Sequence, residues 1–145
     1  MTAAVTETIL EYAHYVDTCE PALWAGLFCS DGTFDEGTTV TGRENLEVHV
    51  EKLLRLFTAT AHHMSNIRVT RTGGRAATAT SYVYAWHRKT DGTDFELWGR
   101  YSDELTVEDE RWCFASRRVE MFGSRGWDVN LAQVPRSPLD PGRTS

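Results

Sequence analysis

The chain has 145 residues, 41% of them hydrophobic and 25% charged, and a formal charge of −6. That length fits one domain burying about 70% of its unfolded surface. The acidic balance and the absence of a Lys/Arg cluster argue against a nucleic-acid partner. No apolar run approaches the roughly 20 residues of a membrane span.

The first segment places Val5, Ile9, Ala13 and Val16 at amphipathic helical spacing, with Leu10 and Ala13 at the inner edge. Steps of three and four residues then carry Asp17 toward the interior, near a helix C-terminus where the backbone dipole disfavours negative charge. A carboxylate placed there needs a donor or cation, or it caps the turn at Thr18 and Cys19 as an Asx residue. Glu7 and Glu11 interrupt the N-terminal apolar residues, so no signal peptide is expected, and the expected location is cytoplasmic. Cys19, Cys29 and Cys113 form no CxxC pair and read as reduced, buried thiols.

Pro21 opens a short second helix reaching Phe28, with Trp24 and Phe28 on one face. A loop from 30 to 42 holds a short strand near 33–35. Thr41-Gly42-Arg43-Glu44 is a capping box, and the helix after it carries Leu46, Val50, Leu53, Leu54 and Phe57 on one stripe. From Ser65 the period becomes two. Strands are expected over about 66–72, 75–88, 94–107 and 111–122, with turns at Gly73-Gly74, Asp91-Gly92 and Glu108–Glu110. Three N-terminal helices in the mouth of a strongly curved antiparallel sheet make an α+β cone. A single domain over 1–134 is expected, followed by a mobile Pro-rich tail over 135–145.

His62 and His63 fall where the third helix gives way to strand, and at most one of them faces inward. On the following strand Ser81, Val83, Ala85 and His87 share one face, whereas Tyr82, Tyr84 and Trp86 share the other. The small residues suggest a lined space, and the aromatic face suggests association as a homodimer or homotrimer. A histidine held by Asp17 would be a competent general base near neutral pH. Asp17, His62 and His87 also make a conceivable two-His, one-carboxylate metal set, although none is expected to bind metal. Arg117 and Arg118 alternate faces, and an inward one could hold an anionic group, but solvent is the simpler setting for both.

The run Tyr12-Ala13-His14-Tyr15-Val16-Asp17, then Trp24, Leu27-Phe28 and Asp31-Gly32-Thr33-Phe34-Asp35, resembles the opening of SnoaL-like proteins of the NTF2-like superfamily. Thr41-Gly42, the segment from Thr60 through His62-His63 to Asn66, Gly99-Arg100-Tyr101-Ser102-Asp103-Glu104-Leu105 and Arg111-Trp112-Cys113-Phe114 extend the likeness over about 5–122. The branches it most resembles are scytalone dehydratase and hexachlorocyclohexane dehydrochlorinase, eliminating enzymes that need no cofactor. The resemblance implies an Asp17–His62 pair with His87 as a second cavity histidine, and Tyr101 is a further candidate catalytic residue as a hydrogen-bond donor. It implies a cavity for a small hydrophobic, oxygenated, cyclic substrate of secondary metabolism, touched by Tyr12, Trp24, Phe28, Val83, Ala85 and Met121. Val16, Glu36 and Tyr101 depart from the dehydratase pattern, so scytalone itself is not the expected substrate. Relatives also include cyclases, ketosteroid-type isomerases and non-catalytic dioxygenase subunits, and these readings stay open.

Overall fold

The computed structural model describes residues 2–139 and 141–142. Helix α1 (Thr2–Asp17) buries Val5, Thr8, Ile9, Tyr12, Ala13 and Val16, the three-and-four spacing of a single helical face. Leu10 lies off that face and is 47% exposed, so it is not an inner-edge residue.

Helix α2 (Pro21–Ala25) stops three residues short of Phe28, because Phe28 opens strand β1 (Phe28–Asp35). Cross-sheet pairing overrides the local helical pattern there: Phe28 stands opposite Phe114, and the Phe114 N–H donates to the Leu27 carbonyl at 2.9 Å. Cys29 and Cys113, next to these two residues, are joined in a disulfide, which corrects the reading of three reduced thiols. Cys19 is exposed rather than buried.

Strand β2 (Thr39–Thr41) pairs antiparallel with β1 and leads into α3 (Arg43–Leu54). The expected capping box does not form. Thr41 is held in the ladder opposite Thr33, and Gly42 takes the N-cap position at φ 87°, a conformation that favours glycine. The Thr41 carbonyl instead accepts from the Asn45 side chain at 3.0 Å.

Strand β3 (Phe57–Gly73) starts nine residues before the expected strand, so Phe57 leaves the helical stripe and the two histidines lie well inside a strand. Strands β4 (Ala76–Lys89), β5 (Asp94–Glu108) and β6 (Arg111–Arg125) follow as an antiparallel meander. The first hairpin turns through Gly74 and Arg75, one residue later than Gly73-Gly74. Arg71 holds it there by donating to the Gly73 and Gly74 carbonyls. The sheet order is β2-β1-β6-β5-β4-β3, with a short β7 (Ala132–Gln133) beside β6. Both β1 and β7 run parallel to β6, so the sheet is mixed and only its meander is antiparallel.

The fold is an α+β cone of three helices against a curved sheet. Its core joins Val5 and Ile9 of α1, Leu46 of α3 and Trp24 of α2 to Phe28, Leu105 and Phe114 of the sheet. Each fully buried aliphatic side chain contributes roughly 1.5–3 kcal/mol. The rings of Trp24 and Phe28 lie 4.9 Å apart, and those of Phe28 and Phe114 5.3 Å. On the outer face Tyr82, Trp98 and Phe122 are exposed. Of the expected tail over 135–145, residues 135–139 have no regular structure and 141–142 form a turn, and Asp140 and 143–145 lie outside the described residues.

Candidate active site

Asp17 is the last residue of α1, and β3 runs alongside that helix end. Its Oδ1 accepts from Thr60 Oγ1 at 2.9 Å and stands 2.7 Å from His62 Nδ1, while Oδ2 accepts from the His62 backbone N–H at 2.8 Å. Thr60 and His62 share a strand face by the period of two, so one short segment supplies all three donors. These bonds overcome two opposing effects, burial and the helix dipole. Burial pushes the carboxyl up, but the side-chain and backbone bonds from His62, with Thr60 behind them, hold it below its ordinary range. The Asx alternative does not describe this residue: the turn is satisfied otherwise, with Thr18 Oγ1 donating to the His14 carbonyl and to Glu20.

An ionised carboxylate at Nδ1 requires that nitrogen to carry hydrogen. In the neutral ring Nε2 is then the acceptor, and so the basic atom. His63, on the opposite face, is exposed and lies against Tyr84, with ring centroids 5.7 Å apart.

His87 is buried on the inner face of β4, and its ring stands 5.4 Å from that of His62. It stacks on Phe95 at 4.8 Å, and its Nδ1 lies 3.4 Å from the Phe95 carbonyl. Burial, helped by the nearby His62, lowers its pKa to about 4. At neutral pH His87 is therefore uncharged. With Nδ1–H on the carbonyl, its Nε2 accepts hydrogen bonds and does not donate them. That geometry suits contact with a substrate hydroxyl or water, not donation to an enolate.

Tyr101 of β5 meets Tyr12 of α1 edge-on, with ring centroids 5.2 Å apart. Burial raises both phenols above their ordinary value, Tyr12 strongly, so both keep their protons and can donate. Behind them lies a feature that sequence reading assigned to solvent. Arg117 of β6 is 1% exposed, and its guanidinium lies 4.1, 3.9 and 4.4 Å from the rings of Tyr12, Tyr101 and Phe114. Asp103 accepts from it at 2.8 and 3.1 Å as a two-bond fork. The signal was present in the alternation, since Tyr101 and Asp103 share an inner face and Asp103 stands opposite Arg117 across the ladder.

Thr60, His62, His87, Phe95 and the two tyrosines border a cavity of about 440 Å³, within the size range of small-molecule sites. Of the expected site residues, Tyr12, Trp24, His62, His87 and Tyr101 line it. Asp17 is not on the wall and reaches it through His62, and Phe28, Val83, Ala85 and Met121 do not line it either. All four are buried, and the first three belong to the packed core, where helix side chains take up the room that small β4 residues leave. The wall also includes Glu36, Phe57, Leu97 and the segment 127–131 after β6, whose position no local pattern announced. Among the described residues, the one close set of three potential metal-ligating groups is Cys29, Glu108 and Cys113, whose sulfurs are tied in the disulfide.

Comparison with known proteins agrees with this architecture. Over 84% of this chain and 89% of the other, it is similar at TM-score 0.80 and 23% identity to a candidate aromatic ring hydroxylase from Novosphingobium aromaticivorans. A hexachlorocyclohexane dehydrochlorinase of type 2 superposes at TM-score 0.79 and 19% identity, covering 97% of this chain and 94% of that one. A candidate scytalone dehydratase from N. aromaticivorans superposes at TM-score 0.84 and 27% identity, covering 99% and 94%. No curated protein matches. The SnoaL-like domain profile matches residues 2–118, most of the chain and every element from α1 to the first half of β6. The chain therefore belongs to the SnoaL-like domain family of NTF2-like proteins.

Proposed function

We propose that this protein is a lyase, most simply a dehydratase, in which His62 acts as general base on a small, neutral, oxygenated cyclic compound. The observation that carries the reading is the 2.7 Å contact between Asp17 and His62 Nδ1 at the wall of a largely apolar cavity. Similarity to dehydratase-type and dehydrochlorinase-type structures supports it.

His62 Nε2 takes a proton from carbon next to a carbonyl, and the C–H electrons become the new double bond. The adjacent C–O bond breaks, the imidazolium returns the proton to the departing oxygen, and water leaves. Asp17 stabilises the imidazolium during this step, and Tyr101 supplies a neutral donor for the developing enolate oxygen. Base catalysis of this kind gives about 10²–10⁴-fold, and a donor in a dry cavity adds about 3 kcal/mol.

The test is turnover of a panel of cyclic β-hydroxy ketones, followed as loss of water by mass spectrometry. His62→Ala and Asp17→Asn should each abolish it while the variants remain folded. Turnover that survives either change refutes the base assignment. The exposed Tyr82, Trp98 and Phe122 support self-association through the outer sheet face, which light scattering tests.

A further inference from the structure

A second histidine–carboxylate pair stands away from the first. Glu36, in the turn between β1 and β2, places Oε1 2.6 Å from Nε2 of His49 on α3. Both side chains are about one quarter exposed, and Glu36 lines the same cavity as His62. Sheet order makes the placement informative. The β1–β2 turn and β3 belong to opposite edges of the sheet, with β1 four and β2 five strand spacings from β3, and its curl brings both edges to one chamber. Glu36 and His62 therefore approach an occupant from different walls.

Glu36 faces the chamber electrostatically as well. Burial is the main reason that Tyr12 and Tyr101 hold their protons, and the negative charge of Glu36 adds to it in each. Nothing in the proposed elimination uses this carboxylate. The wall around it includes Phe34, Val50 and Leu131, so an occupant lying there is otherwise in apolar contact.

We infer that Glu36, oriented by His49, is a specificity residue that selects substrates bearing a hydroxyl donor at the end remote from the His62 base. This inference rests on the lyase reading above and names the substrate class: a neutral ring compound with a carbonyl at one end and a hydroxyl at the other. An ionised carboxylate accepts hydrogen bonds and cannot donate them, so an ether or methyl group in that place gains nothing from it. With Asp128 also on the wall, a carboxylated substrate meets negative charge and is disfavoured.

The experiment is calorimetric binding at pH 7 of 6-hydroxy-1-tetralone and the near-isosteric 6-methyl-1-tetralone. A hydrogen bond to a charged acceptor predicts about tenfold tighter binding of the hydroxyl compound to the wild-type protein. Glu36→Leu should erase that preference. Glu36→Gln, which keeps the shape and a neutral acceptor, should reduce it to a few-fold. Equal affinities in the wild type, or a preference that survives Glu36→Leu, would overturn the inference while leaving the base chemistry untouched. Failure of both compounds to bind the wild type overturns it together with the cavity reading. Conversely, turnover that persists in His62→Ala overturns the lyase reading and does not move the binding ratio.

Discussion

Replacing Asp17 by Asn keeps the shape of the side chain and reverses part of its hydrogen-bonding character. In the wild type three donors converge on two carboxylate oxygens: Thr60 Oγ1, His62 Nδ1–H and the His62 backbone N–H. An amide offers one accepting oxygen, and its NH₂ must then face former donors. If the oxygen stays with the backbone N–H, the only relaxed arrangement moves the imidazole proton from Nδ1 to Nε2. The basic lone pair then points at the substituted amide instead of the cavity. Hydrogen bonds to charged groups contribute about 1.5–3 kcal/mol. With the carboxylate 27% exposed and one bond retained, we expect a net loss of about 1–2 kcal/mol at pH 7. The folded-state pKa of Asp17 lies below its unfolded value, so this stability is present above the unfolded pKa and disappears as pH falls through the folded one. Urea denaturation of wild type and Asp17→Asn should therefore converge in strongly acidic buffer. Long-range ¹H–¹⁵N correlation spectra of the imidazole read the tautomer directly: Nδ1–H in the wild type and Nε2–H in the variant. A wild-type ring already protonated at Nε2, or a tautomer that Asp17→Asn leaves unchanged, would refute the reasoning.

Three further outcomes test the surrounding structure. His87 has a folded pKa of about 4 against an ordinary 6.5, so the unfolded chain binds its proton first as pH falls. Stability that is intact above pH 6.5 should drop by up to about 3 kcal/mol between there and pH 4, and His87→Phe should remove that slope in urea titrations. Asp103→Asn leaves the Arg117 charge without its counter-ion and should destabilise by about 3–5 kcal/mol, whereas Asp103→Leu with Arg117→Met should recover most of that in thermal unfolding. The Cys29–Cys113 bond closes 84 residues of separation, so Cys29→Ser with Cys113→Ser should cost about 4.5 kcal/mol by chain entropy, measured as a lower urea midpoint. Reductant should lower the wild-type midpoint and leave the double variant unmoved.

Local pattern made much of this fold legible. The stripe on α1, the proline opening α2, the Asp91-Gly92 turn and the alternation on β4 each reflect a few neighbouring residues, and the structure carries all four. Errors fell where distant segments compete with local preference. Phe28 reads as helical beside Trp24, yet pairing with Phe114 makes it strand. Thr41 reads as a cap, yet the β1–β2 ladder holds it. Phe57 reads as helix, yet α3 ends at Leu54 because β3 pairs back to Lys89.

The site divides the same way. That Asp17 faces inward follows from helical periodicity alone, and that His87 shares a face with Val83 and Ala85 follows from a period of two, whereas His62 was read at the edge of a strand that in fact begins at Phe57. Tertiary structure decided the rest. Only the curl of the sheet sets Thr60 and His62 against the end of α1, and only cross-strand register pairs Arg117 with Asp103 instead of leaving it to water. Val83 and Ala85 were read as cavity wall because side-chain size reveals room without revealing what fills it. The physical reason is range: a side chain's direction is set within one turn or one pleat, whereas its neighbours are set by chain closure across 45 residues between Asp17 and His62, or 14 between Asp103 and Arg117.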